Sequence, residues 1–243
     1  MIVRQLEVTW LGHAAFLLLT PGGKRVLIDP WVMSNPVCPT AYQEIKSVDL
    51  LLVTHGHFDH IGDAVSIARQ TQAPIVSVFE TSLWLSRKGV DNAVGMNKGG
   101  TLSIQGIQVK MVDAKHSCGI QDGEEIIYGG EAAGFILTLE DGLKLYHAGD
   151  TALFEDMALY GERYRPDIVC LPIGDRYTMG HGDAAYAVEL IKPRWVIPMH
   201  HGTFDALPGS PGEFAKLVGS RAEVVILSPG QTRAFSPAFG GVR

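Results

Sequence analysis

Three histidines and an aspartate fall within six consecutive positions of this chain, directly after the apolar run at residues 50–53. A short, continuous apolar run is typical of a strand buried on both faces. His55 and His57 could present neutral ring nitrogens to one ion, while Asp59 and His60 lie on the continuing loop within reach of a second ion. The spacing therefore predicts a metal site at a strand end, and it favours two ions over one.

A closed site for two ions needs further donors, and three places in the chain supply them. His116, Asp150 and His200 each follow a predicted strand directly. Loops at strand ends are the usual carriers of functional residues, because the sheet behind them is rigid. We expect these three side chains to converge on the cluster at residues 55–60.

The order of these donors carries a resemblance. The pattern HxHxDH, then a distant His, then Gly-Asp-Thr and a C-terminal His, resembles the metallo-β-lactamase superfamily of hydrolases over nearly the whole chain. The segments WLGHAAF at 10–16, LIDPW at 27–31 and PMHHGTF at 198–204 resemble a branch of small metal-dependent hydrolases near L-ascorbate 6-phosphate lactonase. The resemblance implies an α/β fold, the αβ/βα sandwich, in which two mixed sheets lie face to face with helices outside.

The same resemblance implies a ligand set. The first metal site would be formed by His55, His57 and His116. The second would be formed by Asp59, His60 and His200, with Asp150 bridging both ions. Only one of His200 and His201 can be the C-terminal ligand, and we assign His200.

Further residues are candidates for catalysis or for substrate binding. His201 and His181 could transfer a proton or contact a substrate oxygen, and Asp59 could orient the nucleophile or accept its proton. His147 is expected to be packed or to support a ligand. The candidates for substrate contact or for support of the metal ligands are His13, Asp29, Asp63, Arg176 and Tyr177.

The predicted chemistry is hydrolysis. Two divalent ions can lower the pKa of a bridging water from about 15.7 toward 7, so hydroxide is the expected nucleophile. The branch resemblance favours a lactone or ester carbonyl of a small molecule as the substrate. A phosphodiesterase and a mononuclear iron dioxygenase are the alternatives, and Arg176 and Tyr177 could bind a substrate anion such as carboxylate or phosphate. Zinc or manganese is the expected metal, with iron and nickel left open.

Composition limits the partners and the location. The 26 acidic and 20 basic side chains give a net charge of -6, which argues against nucleic acid as a partner. The N-terminus shows no apolar signal core, and no stretch reaches the roughly 18 apolar residues that would span a bilayer. We expect a cytoplasmic protein without a membrane partner, and association into homo-oligomers is left open. Cys38, Cys118 and Cys170 lack paired spacing and are expected to be free thiols.

Hydrophobic patterning predicts a mixed sheet flanked by helices in a single domain over residues 1–243. The N-terminal third reads as antiparallel strands at 6–10, 16–20 and 25–29. Helices are expected at 63–70 and 81–88, and later strands alternate with helices up to a last strand at 223–227.

Overall fold

The computed structural model describes residues 5–237, which form two seven-stranded sheets, a separate two-stranded hairpin and flanking helices. In chain order the strands are β1 (Leu6–Trp10), β2 (Phe16–Leu19), β3 (Arg25–Ile28), β4 (Leu50–Leu52), β5 (Ile75–Val78), β6 (Ala93–Met96), β7 (Thr101–Ile104), β8 (Ile107–Asp113), β9 (Gly119–Asp122), β10 (Glu125–Tyr128), β11 (Ala133–Thr138), β12 (Lys144–His147), β13 (Ile168–Pro172), β14 (Trp195–Met199), β15 (Glu223–Val224) and β16 (Thr232–Phe235). The first sheet has the order β16-β1-β2-β3-β4-β5-β6, and the second has the order β15-β14-β13-β12-β11-β8-β7.

The helices are mostly short and lie between strands. They are α1 (Phe58–Ile61), α2 (Ala64–Thr71), α3 (Phe79–Arg87), α4 (Asp156–Arg163), α5 (His181–Ile191) and α6 (Pro211–Val218), with 3-10 turns at Thr40–Tyr42 and Gly219–Arg221. In the first half α2 connects the parallel neighbours β4 and β5, and in the second half α5 connects β13 and β14 in the same way.

The core has three layers because each sheet buries both of its faces. Strand β4 shows the principle: Leu50 and Leu52 belong to the core between the sheets, whereas Leu51 packs toward the helices. Side chains alternate across a strand, so consecutive residues of an apolar run enter different layers. Phe135 and Phe16 are fully buried between the sheets, and burying a side chain of this size contributes about 1.5–3 kcal/mol.

The predicted αβ/βα sandwich is therefore confirmed, with two corrections at the level of elements. The strand expected at 223–227 is only β15, because pairing with β14 is limited to two residues, and the chain then crosses to add β16 beside β1. Asp59 and His60 lie on the short helix α1 rather than on a loop. The single-domain assignment stays a prediction, and its ends at 1–4 and 238–243 lie outside the described residues.

The three cysteines are buried and free, as expected. No helix within residues 5–237 is long and apolar enough to cross a bilayer.

Strand direction brings the predicted donors to one edge of each sheet. In the first sheet β1 is antiparallel to β2, which is antiparallel to β3, so that β1, β3 and β4 all run the same way. In the second sheet the same reasoning makes β8, β12 and β14 run the same way. The donors that follow these six strands are His13, Asp29, His55, His116, Asp150 and His200. The backbone amide of His200 donates to the carbonyl of His13, which joins the two edges.

Candidate metal centre

Three imidazoles converge in the loops that follow the C-terminal ends of β4 and β8. Nδ1 of His57 lies 3.0 Å from Nε2 of His55 and 3.3 Å from Nε2 of His116. The three side chains can offer one donor atom each to a single ion, since these atoms lie within 4.8 Å of one another. Such a grouping of imidazole nitrogens suits a divalent transition metal.

Asp29 fixes the orientation of two of the histidines. Its carboxylate accepts the hydroxyl of Thr54 at 2.8 Å and faces Nδ1 of His60 at 2.7 Å. Since the Thr54 hydroxyl proton is used on Asp29, the Thr54 oxygen accepts Nδ1–H of His55 at 3.0 Å. His55, whose pKa burial lowers, is therefore left with a lone pair on Nε2, which is the tautomer that a metal ligand requires. His60 also turns Nε2 toward the cluster, but against the effect of burial Asp150 and Asp29 raise its pKa, so it would release a proton on binding metal.

Asp150 lies at the centre of the cluster. Its Oδ2 is 3.0 Å from Nε2 of His200, 3.4 Å from Nε2 of His60 and 3.6 Å from Nε2 of His116. Nε2 of His55 is 4.0 Å away. One carboxylate therefore contacts histidines of both predicted sites, as a bridging ligand would.

A second group of donors surrounds Asp59. Donor atoms of His13, Asp59, His60 and His200 lie within 4.8 Å of one another. Nε2 of His13 is 2.9 Å from Oδ2 of Asp59, and Nδ1 of His13 is 3.0 Å from the hydroxyl of Thr203. The Thr203 and Asp59 contacts together fix the ring of His13, which is fully buried. Of the predicted supporting residues, His13 and Asp29 thus both contact a predicted ligand directly.

Burial and crowding control the charges of the cluster. Burial and the neighbouring imidazoles lower the pKa of His55, His57 and His116, so these three rings favour the neutral, metal-binding form. Burial alone would raise the pKa of Asp59 and Asp150, but the imidazoles around each carboxylate lower it below its usual range. Both carboxylates are therefore ionised at neutral pH.

Buried polar atoms at the centre make no hydrogen bond of good geometry within the described chain, although Nε2 of His200 and of His60 lie 3.0 Å and 3.4 Å from Oδ2 of Asp150. Nε2 of His60, Nε2 of His200 and Oδ1 of Asp150 make no hydrogen bond there. An unsatisfied buried polar atom costs about 1–3 kcal/mol, and more when it is charged. A divalent cation at the centre would satisfy all three atoms, so the residues present fit a metal ion.

Backbone strain is also concentrated here. Three of the eight non-glycine residues with positive φ in the described chain are His13, Asp29 and His200. Such conformations cost about 1–3 kcal/mol each and persist where the surroundings enforce them. Gly174 allows one of them: a Cβ at this position would lie 2.4 Å from the carbonyl oxygen of His200.

A cavity of about 540 Å³ opens above the cluster. Its floor contains five of the predicted ligands, namely His57, Asp59, His116, Asp150 and His200. The walls contain the apolar or aromatic residues Phe58, Ile126, Tyr177, Phe204, Ala206 and Leu207, together with Ser117, Gly119 and Gln121. A small molecule in this cavity would lie directly on the candidate metal donors.

Comparison with known proteins places the chain in a family. The beta-lactamase superfamily domain matches residues 7–200. A UPF0173 metal-dependent hydrolase of Koribacter versatilis is 52% identical over 232 residues, which cover 96% of this chain and 99% of that protein. The chain is a metal-dependent hydrolase of the beta-lactamase superfamily. A relative of the same description from Rubrobacter xylanophilus is 48% identical over 93% of this hydrolase and 95% of its own length.

A solved structure agrees with this assignment. Igni18, a metallo hydrolase from Ignicoccus hospitalis, superimposes on the hydrolase with a TM-score of 0.85 at 36% identity, covering 96% of this chain and 99% of its own. The superfamily resemblance found in the sequence, the fold that it implied and the assignment as an enzyme are all confirmed.

Several predicted site residues of the hydrolase do not reach the cavity wall. The ring of His201 packs on Trp10 with a centroid distance of 5.0 Å, and the guanidinium of Arg176 lies 5.4 Å from the ring of Tyr177. His181 is the first residue of α5. Of these, only Tyr177 is among the residues that line the cavity. The positions of His201, Arg176 and His181 therefore give no support to the catalytic or anion-binding roles predicted for them.

Asp63 supports the hydrolase differently from the prediction. Its carboxylate accepts the backbone amides of Val32 at 2.6 Å and Met33 at 2.7 Å, rather than fixing a histidine tautomer. These two hydrogen bonds fix the backbone segment that follows Asp29. Asp63 therefore supports the metal centre by positioning that segment and not by contacting a predicted ligand.

His147 makes hydrogen bonds to the two loops that carry His13 and Asp150. Nε2 of His147 donates to the carbonyl of Ala14 at 3.0 Å, and Nδ1 accepts the amide of Gly149 at 3.2 Å. The ring is thus neutral and satisfied on both sides, and its two partners, Ala14 and Gly149, are the sequence neighbours of His13 and Asp150. This agrees with the predicted packing or supporting role.

The stability of the metal-free hydrolase should depend on His147 and pH. Burial lowers the pKa of folded His147 below 6.5, so the unfolded chain binds a proton that the folded chain excludes. Its contribution is therefore present above pH 6.5 and is lost as the pH falls toward the folded pKa. We expect His147→Gln to reduce the slope of unfolding free energy against pH below 6.5 by up to about 1.4 kcal/mol per pH unit. Urea unfolding from pH 5 to 8 measures the slope, and parallel profiles for both proteins would contradict the prediction.

Sequence reasoning missed some contributors. Thr54 and Thr203 hold His55 and His13, and Ser117 lies 3.2 Å from Nε2 of His57. Thr54 and Ser117 directly neighbour predicted ligands, which is a signal that sequence alone offers. Nothing in the local sequence around Ile126 indicates that it lines the cavity.

Proposed function

We propose that this hydrolase holds two divalent ions and uses them to hydrolyse a lactone or ester of an uncharged small molecule. His55, His57 and His116 would hold one ion, and Asp59, His60 and His200 the other. Asp150 would contact both. The observation that carries the proposal is the contact of one carboxylate with histidines of both groups at the floor of an open cavity.

The two overlapping donor groups support two ions rather than one. A single ion takes about four to six protein or water ligands, whereas eight residues, namely the seven predicted ligands and His13, converge here. When bound, such a pair of ions acidifies water and polarises a carbonyl oxygen as a Lewis acid. Their donor set of imidazole and carboxylate suits zinc or manganese, as proposed from the sequence.

The chain's own residues position the reactants. His13 holds Asp59, and the lowered pKa of that carboxyl makes it a weak base but a stable ligand and hydrogen-bond acceptor. We therefore favour Asp59 for orienting water over accepting its proton. Tyr177 lines the cavity and carries a hydroxyl that can donate to a substrate oxygen. In the reaction, the water oxygen bonds to the acyl carbon, the bond from that carbon to the alcohol oxygen breaks, and the alcohol oxygen takes up one of the water's protons, while the other leaves with the carboxylic acid product.

The lining of the cavity supports carbonyl chemistry over phosphodiester chemistry. Among the described residues, no lysine or arginine lines it, and Arg176 lies outside. The bound ions alone would have to offset the charge of a phosphodiester, without the cationic side chain that commonly pairs with such an anion. Lactones and simple esters are neutral and need no such partner.

The deciding experiment compares substrates on protein that has been chelated and reloaded with manganese or zinc. We expect metal-dependent hydrolysis of lactones or esters to exceed that of a bis-aryl phosphodiester in kcat/KM. A preference for the phosphodiester would overturn the proposal. Metal analysis and oxygen uptake complete the test, since one iron per chain with oxygen consumption would indicate the dioxygenase instead.

A further inference from the structure

Exposed apolar side chains gather around the mouth of the cavity. Phe58, Ile126, Tyr177 and Phe204 are large, exposed hydrophobic residues, and all four line the same cavity. Leu207 is buried behind them and lines it as well. We call these five residues the apolar wall. Clustered exposed apolar surface is a marker of a binding site rather than an ordinary surface feature.

The most exposed part of the apolar wall is carried by a separate element. Strands β9 and β10 form a two-stranded hairpin directly after His116, and Gly119, Gln121 and Ile126 of this hairpin line the cavity. Ile126 lies opposite Gln121 in the register and is 73% exposed. An isoleucine held in this way beside a metal centre loses its contact with water only when a ligand covers it.

The hairpin is fixed to the rest of the fold. Ile120, on the opposite face from Ile126, is fully buried and packs against Gly56 of the metal-binding loop, where a Cβ would lie 2.4 Å from its Cγ1. Asp122 accepts the indole N–H of Trp84 at 3.0 Å and pairs with Lys88 at 2.5 Å. The position of Ile126 relative to the centre is therefore set by packing and not by a free loop.

Charge narrows the class of ligand. The walls of the cavity carry no ionised side chain, since its carboxylates, Asp59 and Asp150, are on the floor where they would hold metal, and among the described residues no lysine or arginine lines it. An anionic group at the end of a bound chain would find no partner, whereas an alkyl or aryl chain would cover the exposed side chains.

We propose that the apolar wall, with Ile126 at its outer end, binds an uncharged apolar chain of the substrate beside the reacting carbonyl. The substrate class is an ester or lactone with an alkyl chain of several carbons, rather than a charged or sugar-like molecule. This inference rests on the proposed function for the reaction, but the binding of the chain does not depend on catalysis.

The first test is a chain-length series on metal-loaded enzyme. We expect kcat/KM for p-nitrophenyl esters from acetate to octanoate, or for γ-lactones with longer alkyl chains, to rise about fourfold per methylene until the wall is covered. The p-nitrophenyl monoester of adipic acid, which ends in a carboxylate, should be at least about tenfold poorer than the hexanoate ester of equal chain length. Flat profiles in both series, or a preference for the anionic ester, would overturn the inference.

The second test distinguishes binding at the apolar wall from the effect of replacing any exposed isoleucine. Ile126→Asn should lower the ratio of octanoate to acetate kcat/KM by about tenfold. Ile226→Asn removes an exposed isoleucine that does not line the cavity and should leave the ratio unchanged. Equal ratios in the two variants would contradict the assignment of Ile126.

A binding measurement keeps this inference distinct from the proposed function. Octan-2-one is uncharged and cannot be hydrolysed, and saturation-transfer NMR should detect its binding to the protein even without metal. We expect binding to weaken in Ile126→Asn and not in Ile226→Asn. Ketone binding without any metal-dependent hydrolysis of esters or lactones would reject the proposed function alone, whereas hydrolysis with no chain-length dependence and no ketone binding would reject this inference alone.

Discussion

Replacing Asp150 by asparagine is expected to lower kcat/KM by more than about 100-fold. Mutating a residue that only supports a metal ligand already lowers metal affinity or activity by about 10- to 100-fold, and Asp150 is a predicted ligand itself. The carboxylate contacts Nε2 of His200, His60 and His116 within 3.6 Å, and Nε2 of His55 at 4.0 Å. An amide of the same size offers one neutral oxygen and cannot serve both groups of histidines. The variant should also bind less metal, which elemental analysis after gel filtration measures.

The matched control is Asp183→Asn. Asp183 is an exposed carboxylate on α5 outside the cavity lining, so its loss should change neither metal content nor kcat/KM. Full metal content together with near wild-type turnover in Asp150→Asn would refute the bridging role. Circular dichroism of both variants separates loss of the site from loss of the fold.

Removal of metal is expected to lower the melting temperature by roughly 5–10 °C. A ligand that binds only the folded state at 100 times its dissociation constant stabilises by about 2.7 kcal/mol, and each kcal/mol shifts Tm by about 2–4 °C at this chain length. The physical source is the set of buried atoms on His60, His200 and Asp150 that make no hydrogen bond of good geometry in the described chain. Differential scanning calorimetry before and after chelation gives the shift.

Readdition of the ion provides the control for that experiment. Zinc or manganese in slight excess should restore Tm in the wild-type protein, whereas Asp150→Asn should recover only part of the shift. If chelation leaves the wild-type Tm unchanged, the cluster does not bind metal tightly enough to serve as a resident centre. If it changes Tm equally in both proteins, the effect arises outside the cluster.

Local signals carried much of the prediction. The run at 50–53 is buried on both faces, as β4 shows, and each predicted ligand follows a strand or lies on the short helix α1 that comes after β4. These features depend on the period of hydrophobic residues and on the identity of a few neighbours, so a short stretch of sequence is enough to predict them. The correction to the C-terminal strands falls where pairing is distant: β16 pairs with β1 across more than 200 residues, and no local pattern encodes that choice.

Contacts between side chains likewise depend on residues that are far apart in the sequence. The contact of His13 with Asp59 spans 46 residues, and the contact of His60 with Asp29 spans 31 residues. Sequence marked His13 and Asp29 as candidates but could not say which ligand each would hold. It also marked His201, His181 and Arg176, since a histidine or arginine near a glycine-rich loop looks the same whether its side chain enters the cavity or turns away.

By itself, then, the sequence indicated the residues able to bind metal, because strand ends and donor spacing are local properties, and the resemblance that these motifs carry implied the superfamily and the fold class. Only the tertiary structure decided that Asp150 contacts both groups of histidines, that His13 holds Asp59, and that the β9–β10 hairpin places Ile126 over the cavity. The physical reason is that these contacts depend on strand register and on the packing of one sheet against the other, which bring together side chains far apart in the chain.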